Sequence, residues 1–379
     1  MLEKEASALA KLSELSQKNI TVSFSGGKDS LVALDLAYRV GFRNAVFVDT
    51  TIEFDETTRY VKAIEQFYGI KIDIVRAPLD FFEMVEHVGI PSRRFRWCCD
   101  VFKFGPLAKY AVEKGLEGFI TGLRKEESHK RLGYHNIDRN PLVPVDQINP
   151  ILNWTSCDIW EYIGSNSLPA NPLYEYFDRI GCWCCPFRTD EDWKQVKELF
   201  PDKAHRFEEA LMDFAEKMNI KDKGMFVNER GWTRWFGPLK KRSIGSYSPC
   251  QHGNKGAIDL IFSGKTPEQI KRITKILPIL TTDFFAIGNR LRVTVKDEDR
   301  RRLNVLVEKA INCRGCGACL TLCKVGALHV DKESIYIDDS KCTRCQRCIV
   351  SSSSNLRGAC VIRNYSPKRA GLAGSIVST

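Results

Sequence analysis

Two groups of residues in this sequence have types and spacings that could do chemistry. The first is Ser25-Gly26-Gly27-Lys28-Asp29-Ser30. Consecutive glycines let a backbone turn sharply and approach a ligand closely. The turn leads from the apolar run Ile20 to Phe24 into a helical pattern from Leu31 to Tyr38. A helix N-terminus offers free N–H groups and a dipole that favours an anion. Lys28 adds a cation, and Ser25 and Ser30 add hydroxyl donors, so the stretch reads as a phosphate cradle. The second group is the fifteen cysteines. Cys98 and Cys99 are adjacent, Cys182, Cys184 and Cys185 form a knot, and eight more fall from Cys313 to Cys360, with Cys157 and Cys250 apart. No export signal is apparent, so this number argues for metal or redox chemistry over disulfides.

These residues need a scaffold. From Thr21 to about Gly122, short apolar runs alternate with helical ones. Val46 to Val48, Lys71 to Val75 and Phe119 to Thr121 read as strands covered on both faces. Asp55 to Tyr68 and Lys103 to Lys114 read as helices, the second stopped by Gly115. Such βαβ alternation predicts an α/β fold, a parallel sheet with helices on both faces. Ligands on such sheets sit at the carboxyl ends of strands, where the Ser25 loop and Asp49 both fall. Arg124, Glu126, Glu127, Ser128 and Arg131 follow the strand ending near Gly122, at the same edge; solvated surface explains so charged a loop equally well.

Further on, Asn136 to Leu173 reads as loop-rich, and helical patterns run from Thr189 to Met218. After Trp235, glycines and prolines punctuate a basic segment that reads as a linker. Thr266 to Leu280 reads as a helix capped by Thr266, Leu291 to Val295 as a strand and Asp297 to Ala310 as a helix. The expected domains are a nucleotide-binding catalytic domain over 1–235 and a linker with a small α+β connector over 236–300. A cysteine-rich module over 301–365 and a tail over 366–379 complete the chain. A length of 379 residues suits such a division. The net charge of +10 suits polyanionic ligands, nucleotides first and tRNA under one alternative below; a solvated basic surface explains it too. No apolar run is long enough to span a bilayer, and Met1 to Lys18 has no signal-peptide core, so a cytoplasmic protein with no membrane partner is expected.

The loop lacks the four-residue glycine spacing of the usual phosphate loop. It resembles the PP-loop of the adenine-nucleotide α-hydrolase superfamily. Cys313-x2-Cys316-x2-Cys319-x3-Cys323 resembles the bacterial ferredoxin run, and Cys342-x2-Cys345-x2-Cys348 begins a second copy. The fourth cysteine of each run ligates the other cluster in such modules, which places Cys323 with Cys342, Cys345 and Cys348. Ser352 stands where the partner of Cys313, Cys316 and Cys319 should fall, so Cys360 is expected to replace it after an insertion. Repeated C-x2-C pairs also bind zinc, and that reading competes. Lys324 departs from the proline usual after the first run.

Residues 20 to 235 resemble the PAPS/APS reductase family. The matching stretches are Val48-Asp49-Thr50 with Glu56-Thr57, Arg96-Trp97-Cys98-Cys99 with Lys103 and Pro106-Leu107, and Gly122-x-Arg124 with Glu127-Ser128 and Arg131. Asn149-Pro150-Ile151-Leu152, Asn171-Pro172-Leu173-Tyr174 and Ile180-Gly181-Cys182 extend the match. The resemblance implies a nucleotide held by Ser25 to Ser30, Asp49 and Arg124, with Lys28, Asp49 and Arg124 in catalysis. It also implies a [4Fe–4S] cluster on Cys98, Cys99, Cys182 and Cys185, besides two clusters in the ferredoxin-type module. Cys184 is then a spectator or an alternative ligand.

Two features depart from that family. Its reductases carry degenerate loops, whereas this one is complete, and their Glu-Cys-Gly-Leu/Ile-His motif is absent from this sequence. A thiol nucleophile would have to be Cys157, Cys184 or Cys250, of which Cys250 lies near His252 in a lysine-rich loop. The leading expectation is reduction of PAPS or APS to sulfite plus adenosine phosphate, with electrons from the fused module and, upstream, an external donor. The alternatives are an ATP-dependent, AMP-forming sulfurtransferase acting on a substrate such as tRNA, and an electron-transfer protein regulated by nucleotide. A homo-oligomer is compatible with all three.

Overall fold

The computed structural model describes residues 1–139, 142–235, 247–250, 257–262, 266–287, 290–332 and 334–349. Six strands form one sheet: β1 (Ile20–Ser23), β2 (Asn44–Asp49), β3 (Lys71–Arg76), β4 (Gly118–Ile120), β5 (Ile137–Arg139) and β6 (Asp146–Ile148). Their order is β3-β2-β1-β4-β6-β5, with β5 antiparallel at the edge and every other pair parallel. The order of strand addition therefore reverses between β1 and β4, and the crevice beyond their carboxyl ends is where an open α/β sheet binds its ligand.

The helix Lys28–Arg39 buries Ser30 to Ala37 without interruption, which makes it the central helix of the core. One buried residue on it is an acid. Asp35 accepts hydrogen bonds from Tyr68 Oη at 2.8 Å and Tyr162 Oη at 2.6 Å. Arg39 Nη1 also donates to Tyr162 Oη at 3.0 Å. Removing the carboxylate leaves two buried phenols short of an acceptor, at about 1–3 kcal/mol each. Asp35→Ala should therefore lower the denaturant midpoint of this unit sharply, and Asp35→Asn, which keeps one acceptor, should lower it less.

The chain divides into two compact units otherwise than at the expected boundary near residue 235. One comprises Met1–Arg76 with Pro106–Glu208, the other the described residues of Ala77–Gly105 and Glu209–Thr379. In the second, Phe81, Trp97 and Phe102 pack their rings 5.8–6.1 Å apart, and Trp97 Nε1 donates to Gly89 O at 3.1 Å. Described parts of the segment after Trp235 pair as strands. β7 (Tyr247–Cys250), β8 (Ala257–Phe262), β9 (Phe284–Ile287) and β10 (Arg290–Lys296) make an antiparallel sheet in the order β7-β8-β10-β9. Leu291, Val293 and Val295 are its buried face, the period-two pattern of a half-covered sheet. Cys250, expected in a loop, ends β7 in register with Asp259. The hairpin of β11 (Leu328–Asp331) and β12 (Ser334–Ile337) lies between the two cysteine runs. Asn136 to Leu173 is also more ordered than expected: it holds β5, β6 and the helix Ser156–Ser165, started by a Thr155/Asp158 capping box.

Candidate active site

The Ser25–Ser30 turn is braced from within. Ser30 Oγ donates to Gly27 O at 2.8 Å and accepts from Ser25 N at 3.1 Å, which closes the turn on itself. Gly26 sits at φ +76°, and a Cβ there would lie 2.8 Å from Thr57 Cγ2. Two residues far along the chain brace the loop: Asn171 Nδ2 donates to Gly26 O at 3.0 Å, and Lys28 N–H donates to Tyr174 Oη at 2.8 Å. Burial pushes the Tyr174 phenol well above its usual range, so it stays protonated. Lys28 Nζ lies 3.3 Å from Asp29 Oδ2 and over the Tyr174 ring at 5.4 Å.

The loop after β4 meets this turn directly. Arg124, 4% exposed, donates from Nε to Asp29 Oδ1 at 2.6 Å and pairs through Nη1 with Glu126. Glu127 accepts from Arg124 N–H at 3.2 Å and pairs with Arg131. Burial first, then the charges of Arg179 and Arg124, push the Arg131 guanidinium below its usual value. Lys28 and Arg124 thus both meet Asp29, and the charges of Asp29, Arg124 and Arg179 all act on Arg131. Asp29, Glu126 and Glu127 offset most of this charge, and a partly buried cluster of perturbed groups at a sheet edge is the setting of a binding site. Arg179 and the hydroxyl of Tyr174 acting on the Lys28 amide escaped the sequence reading.

Asp49 is 7% exposed at the carboxyl end of β2, as expected. Its hydrogen bonds go to Arg76 Nε at 3.1 Å and Thr51 N–H at 2.8 Å, not to the Ser25–Ser30 loop. At the next residue, Thr50 Oγ1 donates to Glu53 Oε1 at 2.7 Å and lies 3.5 Å from Cys182 Sγ. Burial pushes the thiols of Cys182 and Cys184 up. Cys184 is 1% exposed, the setting of an inert structural cysteine. Cys157 is exposed on the helix Ser156–Ser165.

Cys98 and Cys99 belong to the second unit, Cys182 and Cys185 to the first. The Cys99 thiol is drawn below its usual value, chiefly by a hydrogen bond from Cys98 and, against burial, by the charges of Arg96 and Lys103. Arg96 Nη2 stands 3.3 Å from its sulfur. A widened helical turn, Asp100–Phe104, follows and leads into Gly105, where an added Cβ would fall 2.2 Å from Cys316 O and 3.0 Å from Ala318 N. The cysteine pair is thus six residues from a backbone contact with the first ferredoxin-like run.

That run and the second are conformational copies. Gly315 and Gly317 flank Cys316 at φ +67° and +78°, and Arg344 and Gln346 flank Cys345 at +52° and +58°. Left-handed backbone at two larger residues is costly and persists where the surroundings impose it, as at binding loops. Cys313, Cys316 and Cys319 are buried, and Cys323 Sγ accepts from Ala327 N–H at 3.2 Å. Burial raises the Cys348 thiol to about 11, with Cys323 and Cys345 both acting on it. No three His, Cys, Asp or Glu among the described residues are grouped to hold a single metal ion. Cys360 lies outside the described residues.

The phosphoadenosine phosphosulfate reductase domain matches residues 19–188. An uncharacterized protein of Methanocaldococcus jannaschii is 39% identical over 226 residues, 58% of this chain and 46% of that protein. Adenosine 5'-phosphosulfate reductase 2 of Bacillus subtilis is 30% identical over 176 residues, 44% of this chain and 72% of the relative. The chain belongs to the PAPS/APS reductase family. The family domain takes in the phosphate loop, Asp49, Arg124 and the cysteines from Cys98 to Cys185, and stops before the ferredoxin-like runs. PAPS reductase from Candida auris, solved as a phosphate complex, is 21% identical with a TM-score of 0.40, covering 48% of this chain and 89% of that one. The chain spans about half the length of the Methanocaldococcus relatives it matches. No helix among the described residues is long and apolar enough to cross a membrane.

Proposed function

We propose that the chain is an iron–sulfur sulfonucleotide reductase with a built-in electron donor. Its substrate is APS or PAPS. The observation that carries this is the meeting of two loops at the β1–β4 reversal: the turn Ser25–Ser30, and Arg124 on Asp29 with Arg131 and Arg179 beside it. Together they suit a nucleotide whose reacting end is a mixed phosphate–sulfate anion. In the reaction two electrons enter, the bond from sulfur to the nucleotide's bridging oxygen breaks, and sulfite and adenosine phosphate leave.

Three cubane clusters are part of the reading. Cys98, Cys99, Cys182 and Cys185 would hold one, Cys313, Cys316, Cys319 and Cys360 a second, and Cys323, Cys342, Cys345 and Cys348 a third. The fit is supported by the lowered Cys99 thiol, by the replica backbone of the two runs and by the nearness of Cys323 to Cys348 and Cys345. When bound, such clusters supply one-electron chemistry. The contact of Gly105 with Cys316 favours electron delivery within the chain.

A second reading, ATP-dependent sulfur insertion into a substrate such as tRNA, is favoured by the complete loop, in which Lys28 and Asp29 stand as a pair. One experiment separates them. Anaerobically purified protein should contain about twelve irons per chain by cluster stoichiometry. It should release sulfite from APS or PAPS with reduced ferredoxin, and Cys99→Ser should lose about a third of the iron and all sulfite release. Pyrophosphate and AMP from ATP, without sulfite, would establish the second reading. Zinc in place of iron would remove the first.

A further inference from the structure

The two ferredoxin-like runs share a backbone but not a setting. Cys313, Cys316 and Cys319 are buried, and main chain closes over them: a Cβ on Gly315 would collide with Lys332 O, and one on Gly105 with Cys316 O. In the second run Cys345 is exposed, and so are Lys341, Thr343, Arg344 and Arg347 on either side of it.

The exposed side chains here are cations. Lys341 pairs with Asp338 at 3.4 Å. Arg344 and Arg347 form an ion pair with no carboxylate among the described residues. Left-handed backbone at Arg344 and Gln346 shapes the turn that presents them. From Ser340 to Thr379 the sequence has seven Lys and Arg and no Asp or Glu, so the chain beyond the run supplies no carboxylate to neutralise it.

We infer that the second run is the electron-entry face of the module, on which an acidic one-electron carrier protein docks against Arg344 and Arg347. This rests on reading the two runs as cluster sites. An electron crosses between proteins only when their centres come close, and Cys345 is the exposed cysteine among the described members of both runs. The reduced carrier gives up one electron and is oxidised, the cluster held by Cys345 takes it and is reduced, and no bond or proton changes hands. Two such encounters supply the electron pair of the proposed reaction. Redox encounters bury little surface, so a few charges carry much of the recognition. Complementary charge speeds and orients the encounter, less so as salt screens it. RNA would meet the same cations, but it has no reason to seek an exposed cluster ligand.

The test uses full-length, anaerobically purified protein, with iron measured first and a small acidic [2Fe–2S] ferredoxin as the probe. Calorimetric titration with the oxidised ferredoxin reads docking without turnover, and stopped-flow absorbance reads reduction by the reduced one. Arg344→Glu/Arg347→Glu should weaken docking about tenfold or more and slow reduction by ferredoxin in step. Photoreduced deazaflavin, small and neutral, should reduce that variant as fast as wild type. Arg344→Lys/Arg347→Lys should stay near wild type. So should Lys71→Glu/Lys194→Glu, which makes the same change of charge at side chains 86% and 79% exposed in the first unit. Unchanged docking in the Arg-to-Glu pair, or an equal loss in the Lys71 and Lys194 pair, overturns the inference. So does a short RNA that binds through Arg344 and Arg347 where ferredoxin does not. If the Arg-to-Glu pair loses iron, Arg344→Gln/Arg347→Gln is read in its place. Loss of iron in the Arg-to-Lys pair as well makes the arginines structural and overturns it. Iron-free wild type would remove the cluster reading beneath it, before any carrier is added.

Discussion

Gly122→Val is expected to abolish nucleotide binding while leaving the iron content intact. Gly122 follows β4, and a Cβ built on it would stand 2.5 Å from Asp29 C, 2.6 Å from Asp29 O and 2.6 Å from Ser30 N. These are backbone atoms of the first turn of the helix Lys28–Arg39, whose free N–H groups would hold the nucleotide's anion. A flexible side chain could yield to a methyl group, but this backbone cannot without dismantling the cradle. Valine adds two further methyls to the same clash. If three or more phosphate contacts go together, at about 1.5–3 kcal/mol each, affinity falls at least a thousandfold. Gly133 is the control, because a Cβ there meets nothing within 4 Å and Gly133→Ala should bind as wild type. Calorimetric titration with APS, PAPS and ATP reads the difference. Retained affinity in Gly122→Val would mean that the two loops do not form one site.

The sequence carried the local half of this arrangement. Ile20 to Phe24 and the glycine pair announced strand, turn and helix, and the helix Asp55–Tyr68 lay within the expected bounds because its apolar spacing is regular. Contacts between distant residues left no periodic trace. Asn171 reaches Gly26 across 145 positions and Tyr174 reaches Lys28 across 146, and nothing near Asn171 says which backbone it will brace. Arg179 is one arginine among many until folding places it by Arg131. The three-residue strands β5 and β6 are too short for alternation to register among prolines. In the cysteine module the spacing shows the repeated run but not its repeated backbone. Gly315 and Gly317 advertise left-handed backbone, but Arg344 and Gln346 adopt the same conformation with residues that signal nothing. Cys250 was misplaced because glycines and lysines around it resemble a loop, while pairing with β8 draws it into a sheet.

Lys28→Ala should weaken nucleotide binding by roughly ten- to a hundredfold, the worth of one charge-assisted contact to phosphate. The reasoning differs from that for Gly122, since alanine keeps the backbone N–H and removes only the ammonium. That ammonium is already aimed at the loop, between Asp29 Oδ2 and the Tyr174 ring, so little ordering is needed when an anion arrives. The Lys28 amide donates to Tyr174 Oη, so a phosphate oxygen at this amide must share or displace that bond. Tyr174→Phe in the Lys28→Ala background should accordingly recover part of the lost affinity by freeing the amide. Iron content should match wild type throughout, because none of the contacts removed involves a cysteine. The ligand used decides between the two functional readings. Sulfonucleotides end in an anion that needs a cation at the loop, so APS and PAPS should lose most if the chain is a reductase. If ATP affinity alone collapses and sulfonucleotide affinity holds, Lys28 serves a triphosphate, and ATP-dependent sulfur insertion takes the place of sulfate reduction.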